Sequence, residues 1–227
     1  MSVPARNTLA GNRFQVGAAS LAVIGLSLFA WDRDALASSE DTSTDTSTLQ
    51  QLFSPHATQK PWSVLLFGGR LSSEPMDQVL LLSPEYEDTG FLGGAVAYEF
   101  YRNSLFSLEL EGGAGAMFGD SNGPQVWGAA YARWHNFPWN DRLKTSVAVS
   151  TGLNYTFKRM AYEARSAAPD PNRKLLHYFS PEVTFALPRK PDTELVFRMH
   201  HRSSVYGLFD CRRCGSDTPT VGLRHRF

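Results

Sequence analysis

From residue 61 to the C-terminus, apolar side chains recur at every second position, in runs separated by turn-forming residues. A period of two is the repeat of a β-strand, whose successive side chains point to opposite faces. The first run, 62–71, sets Trp62, Val64 and Leu66 on one face. A long connection with two prolines, 72–89, precedes 90–101, where Leu92, Val96, Tyr98 and Phe100 alternate with Gly93, Ala95, Ala97 and Glu99. The turn Arg102-Asn103 enters 104–118, with Phe106, Leu108 and Leu110 against Ser107, Glu109 and Glu111. Residues 124–136 carry the least regular pattern. The clearest spans 143–158, with Leu143, Val147, Val149 and Leu153 set against Lys144, Ser146, Ser150 and Asn154. Runs at 174–187, 195–207 and 217–227 follow, the second entered through the turn 188–192.

About eight strands of membrane-spanning length predict an all-β fold, an eight-stranded antiparallel transmembrane β-barrel. The connections after the first, third, fifth and seventh strands fall on one side and are mostly longer or more polar, whereas the other three are tight turns. Outer-membrane barrels show that asymmetry. Glu99, Glu109, Glu111, Glu182, Glu194, Arg198 and Arg202 lie on the opposite faces and would pair inside a barrel this narrow. A soluble lipocalin-like barrel is the alternative, with the two faces exchanged. The ending Thr220-Val-Gly-Leu-Arg-His-Arg-Phe227 favours the membrane, because a terminal aromatic resembles the insertion signal of outer-membrane proteins.

Composition narrows the class further. The formal net charge is zero, so neither nucleic acid nor an electrostatically driven acidic partner is implied. A slightly negative mean hydropathy argues against a bundle of membrane helices. Residues 1–37 read as a signal peptide: Arg6 and Arg13, an apolar run over 16–31, and Ala35-Leu36-Ala37 as the cleavage signal. Residues 38–60 read as a flexible periplasmic segment, and 61–227 as the barrel. The only cysteines are Cys211 and Cys214. In an oxidising compartment a local disulfide is the favoured reading, ahead of free thiols and then of metal binding.

Candidate chemistry sits in 195–207. One face carries Leu195, Phe197, Met199, His201, Ser203 and Val205; the other carries Arg198, His200, Arg202, Ser204 and Tyr206. His201 and Ser203 are therefore neighbours on an apolar face, where unsatisfied polar groups cost a few kcal/mol. An imidazole can take the proton of a serine hydroxyl, and a carboxylate behind the ring fixes its tautomer. Asp217 shares parity with Val221, Leu223 and Phe227 and would lie across from His201 in a hairpin folded about residue 209; Asp210 is the alternative, in the loop. His200 reads as part of an interior polar network, and His135 and His177 as structural or interfacial. Trp62, Trp127, Trp134 and Trp139 read as interfacial anchors. Gly112-Gly-Ala-Gly115 is no phosphate loop, because no helix follows it. No residue cluster has metal-ligand spacing, and no cofactor is implied.

His201-Arg-Ser203, an acidic residue on the final strand and the eight-strand pattern with a terminal aromatic resemble the lipid A 3-O-deacylases of the PagL type. These are outer-membrane esterases with a Ser-His-Glu triad on the outer wall of the barrel. The resemblance covers 61–227, and its specific motifs lie in the last thirty or so residues. It implies Ser203 as nucleophile, His201 as base and Asp217 as the group orienting the base. Two features depart from the family pattern: Asp217 stands where the family has Glu, and Ser204-Val-Tyr-Gly207 replaces its Asn-Ala-Gly. Backbone N–H groups near Ser204 are the oxyanion candidates. The implied partners are lipid A, or lipopolysaccharide, and the surrounding outer-membrane lipids, with a homodimer left open. A non-catalytic structural or adhesion barrel and a lipid A acyltransferase are the alternative functions.

Overall fold

The computed structural model describes residues 59–80, 85–158, 174–205 and 214–227. The expected signal peptide, nearly all of segment 38–60, the polar loop 160–173, Tyr206, Gly207, Asp210 and Cys211 lie outside the described residues. The strands are β1 Trp62–Ser72, β2 Tyr86–Arg102, β3 Phe106–Gly119, β4 Gly123–Trp134, β5 Lys144–Thr156, β6 Leu175–Phe179, β7 Glu182–Leu187, β8 Lys190–Ser203 and β9 Gly215–Arg226. One short helix, α1 Met76–Leu80, stands in the connection after β1.

All pairings are antiparallel; β1 pairs with β9 and β4 with β5, so the sheet closes on itself. The expected strand 174–187 is interrupted at Ser180-Pro181, because proline has no N–H to give the ladder. Its two pieces, β6 and β7, both lie between β5 and β8, and their register against each neighbour continues unchanged across the gap. The Pro181 carbonyl still accepts from the Met199 N–H at 3.0 Å. With β6 and β7 counted as one strand, the ring is an eight-stranded antiparallel barrel.

Burial decides which face points inward. Leu92, Val96, Phe100, Leu110, Val149, Leu153 and Leu223 stand exposed on the outer wall, while Glu99, Glu109, Glu111, Glu182, Arg133, Arg198 and Arg224 are buried inside. A soluble monomer rarely exposes a contiguous apolar patch beyond a few hundred Å². An apolar band around a polar lumen is the arrangement of a lipid-facing barrel, and the lipocalin alternative is the reverse of it.

Two layers fill the lumen. In the half near the tight turns, Glu182 lies 2.8, 2.6 and 2.7 Å from the guanidinium groups of Arg133, Arg198 and Arg224. Arg133 and Arg226 both reach Glu109, at 3.0 and 2.8 Å, and Arg198 reaches Glu111 at 2.7 Å. Charges taken out of water persist only when paired and hydrogen-bonded in this way. Towards the long loops, Phe67, Phe91, Trp127 and Tyr178 pack around His200, whose Nε2 is 3.1 Å from Gln125 Oε1. Trp127 is thus no interfacial anchor. It belongs to the inward parity of β4 and donates from Nε1 to Glu111 Oε1 at 2.9 Å. Trp62, Trp134 and Trp139 remain exposed.

The closing seam depends on close backbone approach. A Cβ at Gly222 of β9 would lie 2.3 Å from the Leu66 carbonyl oxygen and 2.5 Å from Phe67 Cβ, both on β1. Gly222→Val is therefore expected to hold β1 and β9 apart. On an unheated gel after refolding, the fast-migrating folded band should fall to a minor fraction.

Candidate functional site

The β8–β9 register places His201 directly opposite Asp217 on the outer wall. His201 Nδ1 and Asp217 Oδ1 are 2.5 Å apart, and the two side chains retain 19% and 14% exposure. An ionised carboxylate only accepts, so this contact puts the ring proton on Nδ1 and leaves the Nε2 lone pair to act as a base. The Phe179 ring stands edge-on to His201 with centroids 6.3 Å apart, an apolar wall beside the pair.

Ser203 is the last residue of β8 and shares the outward parity of His201. Its cross-strand partners are Gly215 on β9 and His177 on β6. Among the described residues no hydrogen bond joins His201 to Ser203, and catalytic hydrogen bonds commonly tighten only once substrate is bound. The strand stops here, short of the 207 expected from the pattern, because Val205 adopts φ 46° and turns the chain out of the sheet. A β-branched residue in that left-handed region is strained.

Ser204 faces the other way. Its side chain is buried, and its N–H donates to the Cys214 carbonyl at 3.1 Å. Cys214 itself is disulfide-bonded. His200 and Arg202 point inward and are fully buried. His135 follows β4 at the tight-turn end, where burial and the nearby Arg102 and Arg133 guanidinium groups hold its pKa down to about 4, so it is neutral near pH 7. His177 was not legible as a neighbour of Ser203, since strand parity alone does not say which residue of another strand stands opposite. Its Nε2 is 2.9 Å from Thr151 Oγ1 on β5. Among the described residues, no group of three or more His, Cys, Asp or Glu side chains could hold a metal ion.

A closed barrel with an apolar outer wall and a charge-filled lumen defines a small transmembrane β-barrel, here with a polar side-chain cluster set into the lipid-facing wall near the long-loop end. No protein-family model matches the chain. No curated protein matches it either. Among solved structures it is similar to the N-terminal β-barrel domain of OprF from Pseudomonas aeruginosa, with a TM-score of 0.42 and 10% identity over 74% of this chain and 98% of that one. Neisserial surface protein A is similar with a TM-score of 0.44 and 10% identity over 73% and 97%. The outer membrane protein OprG from Pseudomonas aeruginosa gives 0.38 and 12% over 74% and 97%. At such identities the likeness concerns fold alone.

Proposed function

We propose that the protein is an outer-membrane esterase that hydrolyses an ester-linked acyl chain of lipid A. The observation that carries this reading is the 2.5 Å His201–Asp217 contact with Ser203 beside it on the same lipid-facing wall. Ser203 Oγ attacks the acyl carbonyl carbon as His201 Nε2 takes its proton, and Asp217 holds the Nδ1–H and steadies the imidazolium that forms. The C–O bond to the sugar then breaks and the departing oxygen takes the proton from Nε2. Water, deprotonated by the same nitrogen, attacks the acyl carbon, the bond from that carbon to Ser203 Oγ breaks, and Oγ takes the proton back from Nε2 as the fatty acid leaves. No metal or cofactor enters these steps.

Location supports the lipid substrate. His201 lies two residues from the end of β8, which at a rise of about 3.3 Å per residue is about 7 Å from the long-loop rim. With the long loops outside, that depth is the upper part of the outer leaflet, where an acyl ester can approach sideways. A water-soluble ester would have no reason to be met on an apolar wall.

Lipid A from Gram-negative cells that lack a deacylase and express this chain is expected to lose the mass of one acyl chain by mass spectrometry. Lipid A of unchanged mass beside a folded barrel would sink the reading, and a gain of one acyl chain would point to transfer. Asp217→Asn is expected to slow the reaction by about 10³-fold or more, because the amide no longer fixes the Nδ1 proton. Asp217→Glu should keep a substantial part of the rate. Fatty-acid release by the purified variants in mixed micelles measures both. A second reading, a non-catalytic barrel, is favoured by the Ser204 N–H, which is already committed to Cys214.

A further inference from the structure

Stabilising the oxyanion of the reaction needs a donor near Ser203 that is not already spent. The Ser204 N–H donates to the Cys214 carbonyl, so the nearest backbone candidate is occupied. On the other flank of Ser203 stands His177. The β6–β8 register makes the two a direct cross-strand pair, and such residues share a face with Cβ atoms about 4.5–5.5 Å apart. Ser203 thus lies between two imidazoles, His201 along its own strand and His177 across from it.

His177 is also held in place. Its Nε2 is 2.9 Å from Thr151 Oγ1, while its other ring nitrogen has no hydrogen-bond partner among the described residues. Both side chains face outward on strands whose neighbouring outward positions are Val149, Leu153, Leu175 and Phe179. Polar groups turned toward lipid are costly unless satisfied. Their mutual bond removes part of that cost and leaves the other ring nitrogen without a partner among the described residues, on a residue paired with Ser203 across the strands.

We infer that His177 is a further catalytic residue, the hydrogen-bond donor that stabilises the oxyanion formed at Ser203, and that Thr151 is its positioning residue. The inference rests on the esterase reading above. In this assignment the Thr151 hydroxyl donates a hydrogen bond to Nε2, so that the ring proton sits on Nδ1. When Ser203 Oγ bonds to the carbonyl carbon, the π pair moves to oxygen, and the Nδ1–H donates a hydrogen bond to that oxygen without transferring its proton. As the ester C–O bond breaks, the pair returns to re-form the carbonyl. His201 alone carries the travelling proton.

The test compares fatty-acid release from lipid A by native protein, Ser203→Ala, His177→Phe, His177→Gln and Thr151→Val, refolded into mixed micelles and checked by heat-modifiable gel mobility. Loss of one oxyanion donor costs about 10²–10³-fold in kcat, so His177→Phe is expected to fall in that range with little change in KM. His177→Gln, whose amide can still donate, should recover much of the rate, and Thr151→Val should show a smaller loss. Should His177→Phe fail to fold, the Gln and Val variants still decide. The pH profile separates the roles: a lost donor lowers the rate equally at every pH, whereas a shifted limb would make His177 a base and overturn the assignment. Native-like kcat in His177→Phe, or in both other variants, would also overturn it while leaving the esterase intact. No release by the native protein would overturn the esterase reading and this one with it.

Discussion

Ser203→Ala is expected to abolish lipid A deacylation while the barrel folds normally. Removing the nucleophile of a triad leaves only what binding and oxyanion stabilisation supply, so the fall should be at least about 10³-fold. The cost to stability should stay within about 0.5 kcal/mol, since the change removes one outward hydroxyl at a strand end. Ser203 ends β8 on its outward parity and is not among the buried residues, so its loss disturbs no packed core. Mass spectrometry of lipid A from cells expressing each protein reads the chemistry, and heat-modifiable mobility reads the fold. Loss of an acyl chain with the native protein alone would identify both an esterase and its nucleophile. Equal loss with both would place the nucleophile elsewhere, and equal retention would favour the non-catalytic barrel.

The largest effect on stability is expected inside the lumen, at Glu182. This carboxylate lies within 2.8 Å of three buried guanidinium groups, on Arg133, Arg198 and Arg224. Glu182→Leu leaves those cations short of one counter-charge in a site without bulk water, and stranding a buried charge typically costs about 3–5 kcal/mol. Glu182→Gln should cost less, because the amide oxygen still accepts hydrogen bonds. Replacing Glu182 and Arg198 together by apolar residues should cost less than the sum of the two single changes, since each removes the other's unpaired charge. Urea titrations of the barrel refolded into lipid vesicles measure all four. Equal midpoints for native protein and Glu182→Leu would mean that water reaches the cluster and screens it.

The strand pattern was legible along most of the chain because alternation is a local property. Leu143–Lys158 reads cleanly, and β5 spans Lys144–Thr156. Where local chemistry competes with alternation, parity misleads. Pro181 divides a run that looks continuous by parity, and Val205 ends β8 before the apolar positions run out. At Trp127 pattern does not decide, because tryptophan at a lipid–water boundary and tryptophan buried against a carboxylate look alike in an irregular stretch.

By itself the sequence determined a chain of strands with one apolar and one polar face, and it put His201, Ser203 and Asp217 on the same parity as the apolar residues. A period of two carries no sign, so the direction of each face was decided only when the sheet closed around its charges and left Leu92, Val149 and Leu223 outside. Pairing across strands is likewise absent from local pattern. Register is a tertiary quantity, set by the seam, the turns and the packing of the lumen together. A hairpin folded about residue 209 already set Asp217 across from His201, as the β8–β9 register does, whereas only the closed barrel brings His177 opposite Ser203, from a strand that parity alone leaves free to slide.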